Sequence, residues 1–359
     1  MKAAIILFLT AFVLSGLTVT QSERAKSEAL SQISSRTEPE TPLENLGRYL
    51  FFDPRLSGDG SMSCSSCHDP GKSYTDGLAL STSYPGSEGF RNTKSILNAV
   101  RVQNFYWDGR LAGSDPATQI RDSITETHFM NLDGRLMLER LKQIPEYVMM
   151  FADAFGEGTE PSFGGTLNAI AAFEKTLITG ETPYDTGDLS PAATRGFELF
   201  SGKANCSTCH TGDDFTDGMS HQTGVPNHPE IFDDPLRHST YRSFIKAMGV
   251  PGYMSVRFDV GRYTVTKEEK DMGGFVTPSL RQVNQTGPYM HNGVLASLEE
   301  VIEFYNAGFG GDLVPLGLSE TERADLVAFL ESLTGSEPDI EIPTIPQYQP
   351  IDNWMEVRN

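Results

Sequence analysis

The sequence predicts a mainly α-helical chain of two domains, and three observations predict it. The 34 glycines and 21 prolines punctuate the chain throughout, strand-like alternation is sparse, and the clearly periodic segments repeat at helical spacing. A length of 359 residues is what two domains require. All four cysteines lie in two copies of one pentapeptide, Cys64-Ser65-Ser66-Cys67-His68 and Cys206-Ser207-Thr208-Cys209-His210, far enough apart for each domain to hold one.

The chain opens with Lys2, an apolar stretch from Ala3 to about Gly16, and then small and polar residues, the layout of a secretory signal peptide over 1–20. That stretch is too short to span a bilayer, although the missing A-x-A site leaves an uncleaved anchor as the other reading. Residues 21–42 read as a flexible polar leader. The N-terminal domain is expected over 43–182. Within it, Gly134 to Phe155 carries Leu138, Leu141, Ile144 and Phe151 at helical spacing, and Pro145 must bend or split that helix. Thr166 to Thr176 repeats the pattern with Leu167, Ile170, Phe173 and Leu177. Ser190-Pro191 places an N-cap and a first-turn proline at the head of a helix through Phe200 that delivers the chain to the second pentapeptide. The boundary therefore falls near Thr179 to Leu189, with the C-terminal domain over 188–336. Ser297 with Glu300 and Ser319 with Glu322 signal two more helices by capping boxes, ending near Gly308 and Gly335. Between His210 and Phe275, Gly, Pro, Asp and His crowd a long stretch with little periodicity, read as loop-rich and as a candidate partner surface. The tail over 337–359 is proline-rich and expected to lie extended over the surface.

C-x-x-C-H is the attachment signature of c-type haem, in which the two thiols add across the vinyl groups and the histidine reaches the iron from below. Structural zinc needs four ligands at set spacings, and a redox dithiol needs a βαβ setting and no histidine. Neither accounts for two copies with no cysteine left over. Two covalently bound c-type haems are expected, one in each of two cytochrome domains, with Cys64, Cys67, Cys206 and Cys209 attaching them and His68 and His210 ligating iron. With every thiol committed, no disulfide holds this fold together. The formal charge of −20 argues against nucleic acid, whose phosphates need a Lys/Arg footprint. It favours a basic or neutral protein partner, unless it serves solubility alone.

Several further segments carry a resemblance. Leu46-Gly47-Arg48-Tyr49-Leu50-Phe51-Phe52-Asp53, Arg91-Asn92-Thr93, Phe105-Tyr106-Trp107-Asp108-Gly109-Arg110, Ala172-Phe173-Glu174-Lys175-Thr176-Leu177 and Gly287-Pro288-Tyr289-Met290-His291-Asn292-Gly293 together resemble the bacterial di-haem cytochrome c peroxidase superfamily, in order and in spacing, from about Leu46 to Gly335. The resemblance implies two helical cytochrome c domains around a bound calcium, a peroxide-reactive haem held through His68, and an electron-transfer haem held through His210. It places Trp107 between the haems, and it makes Asn92 and the carbonyls of Thr286 and Pro288 the calcium ligands; a packing role for Trp107 stays open. His291 is expected near a haem edge, whereas His221, His228 and His238 receive no role.

The sixth ligand of the second haem separates the subgroups. Typical peroxidases use a methionine where the count from Pro288 reaches Tyr305, and the MauG-type enzymes, which oxidise residues of a partner protein, have tyrosine there. Tyr305 is expected to share an inward helix face with Leu298, Val301 and Ile302. Two departures concern the peroxide site. Tyr84 stands where many of the peroxidases place a histidine that blocks the resting iron, which implies an open site. Gln119 matches a distal glutamine, but the usual glutamate position falls on Phe129, so His128 or Glu126 must move the proton that O–O cleavage requires. In a helix these two would point apart; His128, which titrates nearest neutrality, is the favoured one.

The sequence leads to the expectation of a periplasmic di-haem peroxidase-like oxidoreductase of the MauG type. It would react with hydrogen peroxide at the N-terminal haem and draw electrons from a redox partner protein through the C-terminal one, with no membrane attachment after signal cleavage. The alternatives are an ordinary cytochrome c peroxidase served by a small soluble cytochrome, and a di-haem electron carrier without catalysis.

Overall fold

A computed structural model of the chain describes residues 41–308 and 313–349. The expected signal peptide and nearly all of the expected leader lie outside the described residues. Twelve α-helices run through the rest: α1 Pro42–Phe52, α2 Pro116–Thr125, α3 Gly134–Lys142, α4 Pro145–Phe155, α5 Phe163–Glu174, α6 Pro183–Thr186, α7 Pro191–Ser201, α8 Glu230–Asp233, α9 Pro235–Ala247, α10 Tyr263–Thr266, α11 Leu298–Ala307 and α12 Glu320–Glu331. Extended structure among the described residues is limited to two antiparallel ribbons, β1 (Asn104–Phe105) with β2 (Leu111–Ala112) and β3 (Ser220–His221) with β4 (Phe275–Val276). The mainly α expectation holds.

Local chemistry sets the helix ends. Pro145 splits the 134–155 segment cleanly, because α3 stops at Lys142 and the proline opens α4 at a position needing no amide donor. Ser190 caps α7 by accepting from the Ala193 amide. Ser319 and Glu322 form both halves of their capping box on α12. The box expected on α11 is only half made: Ser297 accepts from the Glu300 amide, while the Glu300 carboxylate reaches past it to the Ala296 amide at 2.7 Å.

Each half of the chain is built on one close helix crossing. In the first, α1 lies on α5 with Gly47 against the backbone, where an added Cβ would sit 1.9 Å from the Ala169 carbonyl oxygen and 2.9 Å from Phe173 Cβ. In the second, α7 lies on α12 with Gly196 so placed that an added Cβ would meet the Asp325 carbonyl oxygen at 2.0 Å and Phe329 Cβ at 2.8 Å. Both glycines open the same short run, Gly47-x-x-Leu50-Phe51 and Gly196-x-x-Leu199-Phe200. The first crossing anchors a core of Leu46, Leu50, Phe51, Ile170 and Phe173 with Cys64 at its edge. The second anchors Phe200, Phe215, Leu298, Ile302 and Phe329 with Cys206 at its edge.

The stretch between His210 and Phe275 is largely loop, as expected, but also holds helices the periodicity did not show. It carries α8, α9 and α10, and α9 is 13 residues long, capped by Asp234 ahead of Pro235. Tyr241, Phe244 and Ile245 on α9 pack with Ile231, Val250 and Val260 and with Leu80 and Phe90 from the N-terminal half, forming a third core that joins the halves. The segment after Gly335 carries neither helix nor strand through residue 349 and is not merely superficial. Arg48 Nη1 donates to the Glu341 carbonyl at 2.9 Å, Arg55 Nη2 donates to the Pro346 carbonyl at 2.6 Å, and Ile340 and Ile345 pack against the N-terminal core.

Candidate functional site

Both pentapeptides take one conformation. A 3-10 turn carries Cys64–Ser66 in the first and Cys206–Thr208 in the second, and the amide of each motif histidine donates to the carbonyl of its first cysteine, at 2.9 Å for His68 and 3.0 Å for His210. The imidazoles are then fixed from below. His68 Nδ1 donates to the Tyr74 carbonyl at 3.0 Å and His210 Nδ1 to the Phe215 carbonyl at 2.9 Å, which leaves each Nε2 as the free lone pair an iron ligand needs. Burial lowers the pKa of both rings and keeps them neutral, as ligation requires.

The two carbonyl acceptors were not expected from the sequence, yet a signal was present. They head Tyr74-Thr75-Asp76-Gly77 and Phe215-Thr216-Asp217-Gly218, an aromatic-T-D-G repeat six residues after one histidine and five after the other. In each copy the aromatic has positive φ, 57° at Tyr74 and 51° at Phe215, which turns its carbonyl back to the ring. The threonine hydroxyl then accepts from the glycine amide, at 3.2 Å and 3.0 Å.

All four cysteines are free thiols, and burial raises their pKa, that of Cys206 to about 11. Thiols held neutral suit thioether attachment and do not suit a thiolate metal site. Cys209, Asp217 and His221 lie near enough together to ligate a cation, with His221 Nε2 2.7 Å from Asp217 Oδ2, but the pentapeptide commits the Cys209 sulfur elsewhere.

Tyr305 lies on α11 beside Phe304, and the buried residues of that helix are Leu298, Ile302 and Phe304. Val301 is half-buried, so it belongs to the inward face only in part. Tyr305 is half-buried, and its phenol interacts with the Cys206 and Cys209 sulfurs; burial, first, and those sulfurs, second, hold its proton above the ordinary tyrosine range. The second pentapeptide thus has a phenol close to both of its sulfurs.

The Di-haem cytochrome c peroxidase family model matches residues 41–189. Cytochrome-c peroxidase IdrP2 of Denitromonas iodatirespirans is 43% identical over 350 residues, covering 95% of this chain and 93% of that protein. The chain belongs to the di-haem cytochrome c peroxidase family. Methylamine utilization protein MauG of Methylorubrum extorquens is 37% identical over 324 residues, covering 87% of this chain and 84% of that protein. Among solved structures, a MauG-like protein associated with microbial copper homeostasis matches with a TM-score of 0.71 and 29% identity, over 85% of this chain and 94% of that one. Membership makes the protein a haem oxidoreductase of the peroxidase type with two c-type haems. The fit is met locally, since each pentapeptide offers two cysteines in no disulfide and one oriented imidazole.

Trp107 of this di-haem peroxidase is held from both halves. Its indole Nε1 donates to the Asn92 carbonyl at 2.9 Å, its own carbonyl accepts from the Val276 amide at 2.9 Å, and the Lys94 ammonium stands 5.0 Å from the ring centroid. Next to it Asp108 is fully buried between Arg91 Nη1, at 2.7 Å, and Arg110 Nη1, at 3.1 Å. Arg91 also binds Asp259 through Nε at 2.6 Å and Nη2 at 2.8 Å, so one buried guanidinium ties the N-terminal half to the C-terminal one. His291 lies beside this pair and stacks on Phe275, centroids 3.6 Å apart at 11°. Burial, together with the Arg91 charge against that of Asp259, takes its pKa down to about 4.

The loops bearing Asn92 and residues 286–291 meet where the Asn92 amide donates to the His291 carbonyl at 2.8 Å. Asn92 Nδ2 donates to the Leu78 carbonyl at 2.8 Å, and Oδ1 is left for another group.

Glu126 and His128 do not occupy a helix. α2 ends at Thr125, Glu126 is its C-cap, and the chain turns through Met130, so the expected opposition of Glu126 and His128 is replaced by convergence: His128 Nε2 lies 3.4 Å from Glu126 Oε2. His128 is packed among rings, 4.2 Å from Phe129, 5.8 Å from Phe244 and 6.1 Å from Phe90. Desolvation, then the Arg110 and Arg91 charges, push its pKa down to about 4. Glu126 moves the other way, its pKa raised by burial against the pull of Arg110. Arg110 Cζ stands 3.4 Å from the Tyr106 ring centroid, and Tyr106 Oη donates to the Gln119 carbonyl at 3.3 Å. Gln119 Nε2 donates to Ser123 Oγ at 2.9 Å. Tyr84 closes on this region from outside: a Cβ on Gly58 would lie 2.9 Å from Tyr84 Oη and 2.6 Å from the Asn131 carbonyl oxygen.

Proposed function

We propose that this protein is a di-haem peroxidase of the MauG type, reacting with hydrogen peroxide at the N-terminal haem and taking electrons from a partner protein through the C-terminal one. The carrying observation is the Tyr305 phenol beside Cys206 and Cys209. When bound, the haems supply peroxide activation at one iron and storage of oxidising equivalents at the other, and an anionic phenolate ligand favours the higher oxidation states that storage needs. Everything else falls to the chain. His68 and His210 present Nε2 in a tautomer fixed by the Tyr74 and Phe215 carbonyls. Trp107, fastened at Asn92 and Val276, lies on the route between the halves.

For the proton transfer, the geometry favours Glu126 as the acid–base group with His128 as its neighbour. Peroxide cleavage needs a group that both takes and returns a proton near neutral pH. His128, desolvated and facing two guanidinium charges, resists protonation, whereas burial brings Glu126 toward that range. Gln119 would orient the peroxide.

The oxygen set of Asn92 Oδ1 with the Thr286 and Pro288 carbonyls suits a hard cation such as calcium at the junction of the halves. The domains would divide at 43–182 and 188–336, with the protein exported to the periplasm; no helix of the described residues is long and apolar enough to cross a membrane. The ordinary-peroxidase reading is favoured by one fact, the relatives at 43–48% identity named cytochrome-c peroxidase IdrP2.

Tyr305→Phe tests the reading. Haem content should stay at two per chain while the low-spin signal of the resting ferric protein is lost. An unchanged low-spin signal would place the ligand elsewhere and return the protein to the ordinary peroxidases.

A further inference from the structure

Two stripes run along α9. Tyr241, Phe244 and Ile245 pack into the third core, and beside them His238, Arg242 and Lys246 follow one another at i, i+4 and i+8, with Lys246 exposed and the other two half-buried. The loop after the helix folds back onto the second stripe. Arg242 Nη2 donates to the Met254 carbonyl at 2.9 Å, Arg257 Nη1 donates to the same carbonyl at 3.2 Å, and the Lys246 ammonium stands 5.7 Å from the Tyr253 ring centroid. Three cations thus gather on residues 253–257, and two of them share one acceptor.

None of the three has a carboxylate within ion-pair distance among the described residues. Arg237, nearer the start of the helix, differs: Glu88 lies 3.5 Å and Glu230 3.8 Å from its Nη2. Residues 235–258 hold Arg237, Arg242, Lys246 and Arg257 and no Asp or Glu, in a chain whose Asp and Glu number 48. Arg242 and Lys246, four apart on one helix, repel each other. Next to the cations two large apolar side chains face solvent, Met254 at 58% and Phe258 at 43% exposure.

We propose that Arg242, Lys246, Arg257, Met254 and Phe258 form a docking face for an acidic protein partner, which seats a carboxylate at the two guanidinium groups and an apolar side chain on Met254 and Phe258. The whole-chain charge of −20 does not forbid this. At physiological salt a charge acts over about 8 Å. Asp234, the N-cap of α9, stands about 12 Å along the helix axis from Arg242, and Asp259 is buried against Arg91. A partner approaching this face therefore meets cations first. The planar fork of a guanidinium matches a carboxylate, and Arg, Met and aromatic residues are the types that concentrate at protein interfaces. This gives the candidate partner surface read between His210 and Phe275 a definite place, and it does not depend on the role of Tyr305.

The test is isothermal titration calorimetry of the haem-loaded protein with a synthetic peptide of glutamates around one leucine and one phenylalanine. The wild type should bind it, and raising salt from about 0.05 to about 0.3 M should weaken binding. Arg242→Gln with Arg257→Glu should lower the affinity roughly tenfold or more. Because Arg242 also holds the Met254 carbonyl, Lys246→Glu with Arg257→Glu, both on exposed side chains, is the second variant; it should show a comparable loss with an unchanged circular dichroism spectrum. Met254→Ser with Phe258→Ser should weaken binding at constant charge, and bound peptide should slow amide exchange over 249–258. Failure of the wild type to bind, or equal affinity in both charge variants, would overturn the proposal. If the wild type ignores the peptide and sediments with phosphatidylglycerol vesicles, the face serves an anionic membrane surface and the proposal falls.

Discussion

In the N-terminal half a left-handed aromatic, Tyr74, turns its carbonyl onto His68; in the C-terminal half Phe215 does the same for His210, at a distance within 0.1 Å (3.0 and 2.9 Å). The halves part company above this floor. In the N-terminal half Arg110, Glu126, His128 and Gln119, groups that hold or move protons, cluster together, and the proposed reading sets them over the first haem and the Tyr305 phenol over the second. One anchoring device therefore serves two roles, and what decides the role is the material brought to the opposite side by segments remote in sequence.

The sharpest way to break this comparison is to remove the proton-moving group from the first half. Glu126→Gln should slow the spectral change on mixing with hydrogen peroxide by roughly 10²- to 10⁴-fold, the usual range for a general acid–base, without touching the Tyr305 low-spin signal. His128→Ala should slow it far less. If His128→Ala is instead the crippled variant, the two roles exchange; if neither is slowed, both residues are structural.

Next in size is the tie between the halves. Arg91→Met strands Asp259 and weakens the hold on Asp108, both buried, and should cost about 3–5 kcal/mol in denaturant unfolding. Asp108 keeps Arg110, so most of the loss should track Asp259. A cost under about 1 kcal/mol, the level of an exposed pair, would mean that the halves do not depend on this guanidinium.

The smallest expected effect asks whether the halves are equivalent at their foundations. Gly47→Ala and Gly196→Ala each force a Cβ into a helix backbone, at 1.9 Å and 2.0 Å, and each should destabilise by about 1–3 kcal/mol. Similar losses would sharpen the equivalence. A loss at one glycine alone would show that one crossing can relax and the other cannot.

Much of this is legible in the sequence alone. The pentapeptides, the split at Pro145 and the caps at Ser190 and Ser319 rest on local chemistry, which a short window of sequence carries in full. The aromatic-T-D-G repeat was equally local and passed unnoticed because its role is played by backbone carbonyls, which side-chain identity does not advertise. The α9 helix was missed although Asp234-Pro235 is a start signal and Tyr241, Phe244 and Ile245 have helical spacing; a charged and polar remainder, Arg237, His238, Arg242 and Lys246, masked the stripe. The distal pair was misjudged for a different reason. Whether Glu126 and His128 diverge or converge depends on where α2 stops, and helix ends are the least local part of the pattern.

The strap after Gly335 gives the molecule an order of manufacture. Arg48 waits for Glu341 across 293 residues, Arg55 for Pro346 across 291, and Ser73, next to the carbonyl that steers His68, for Glu337 across 264. The half that leaves the ribosome first is thus the half whose covering is synthesised last. Until that segment docks, the loop after the first pentapeptide lacks its tie through Ser73 and Glu337.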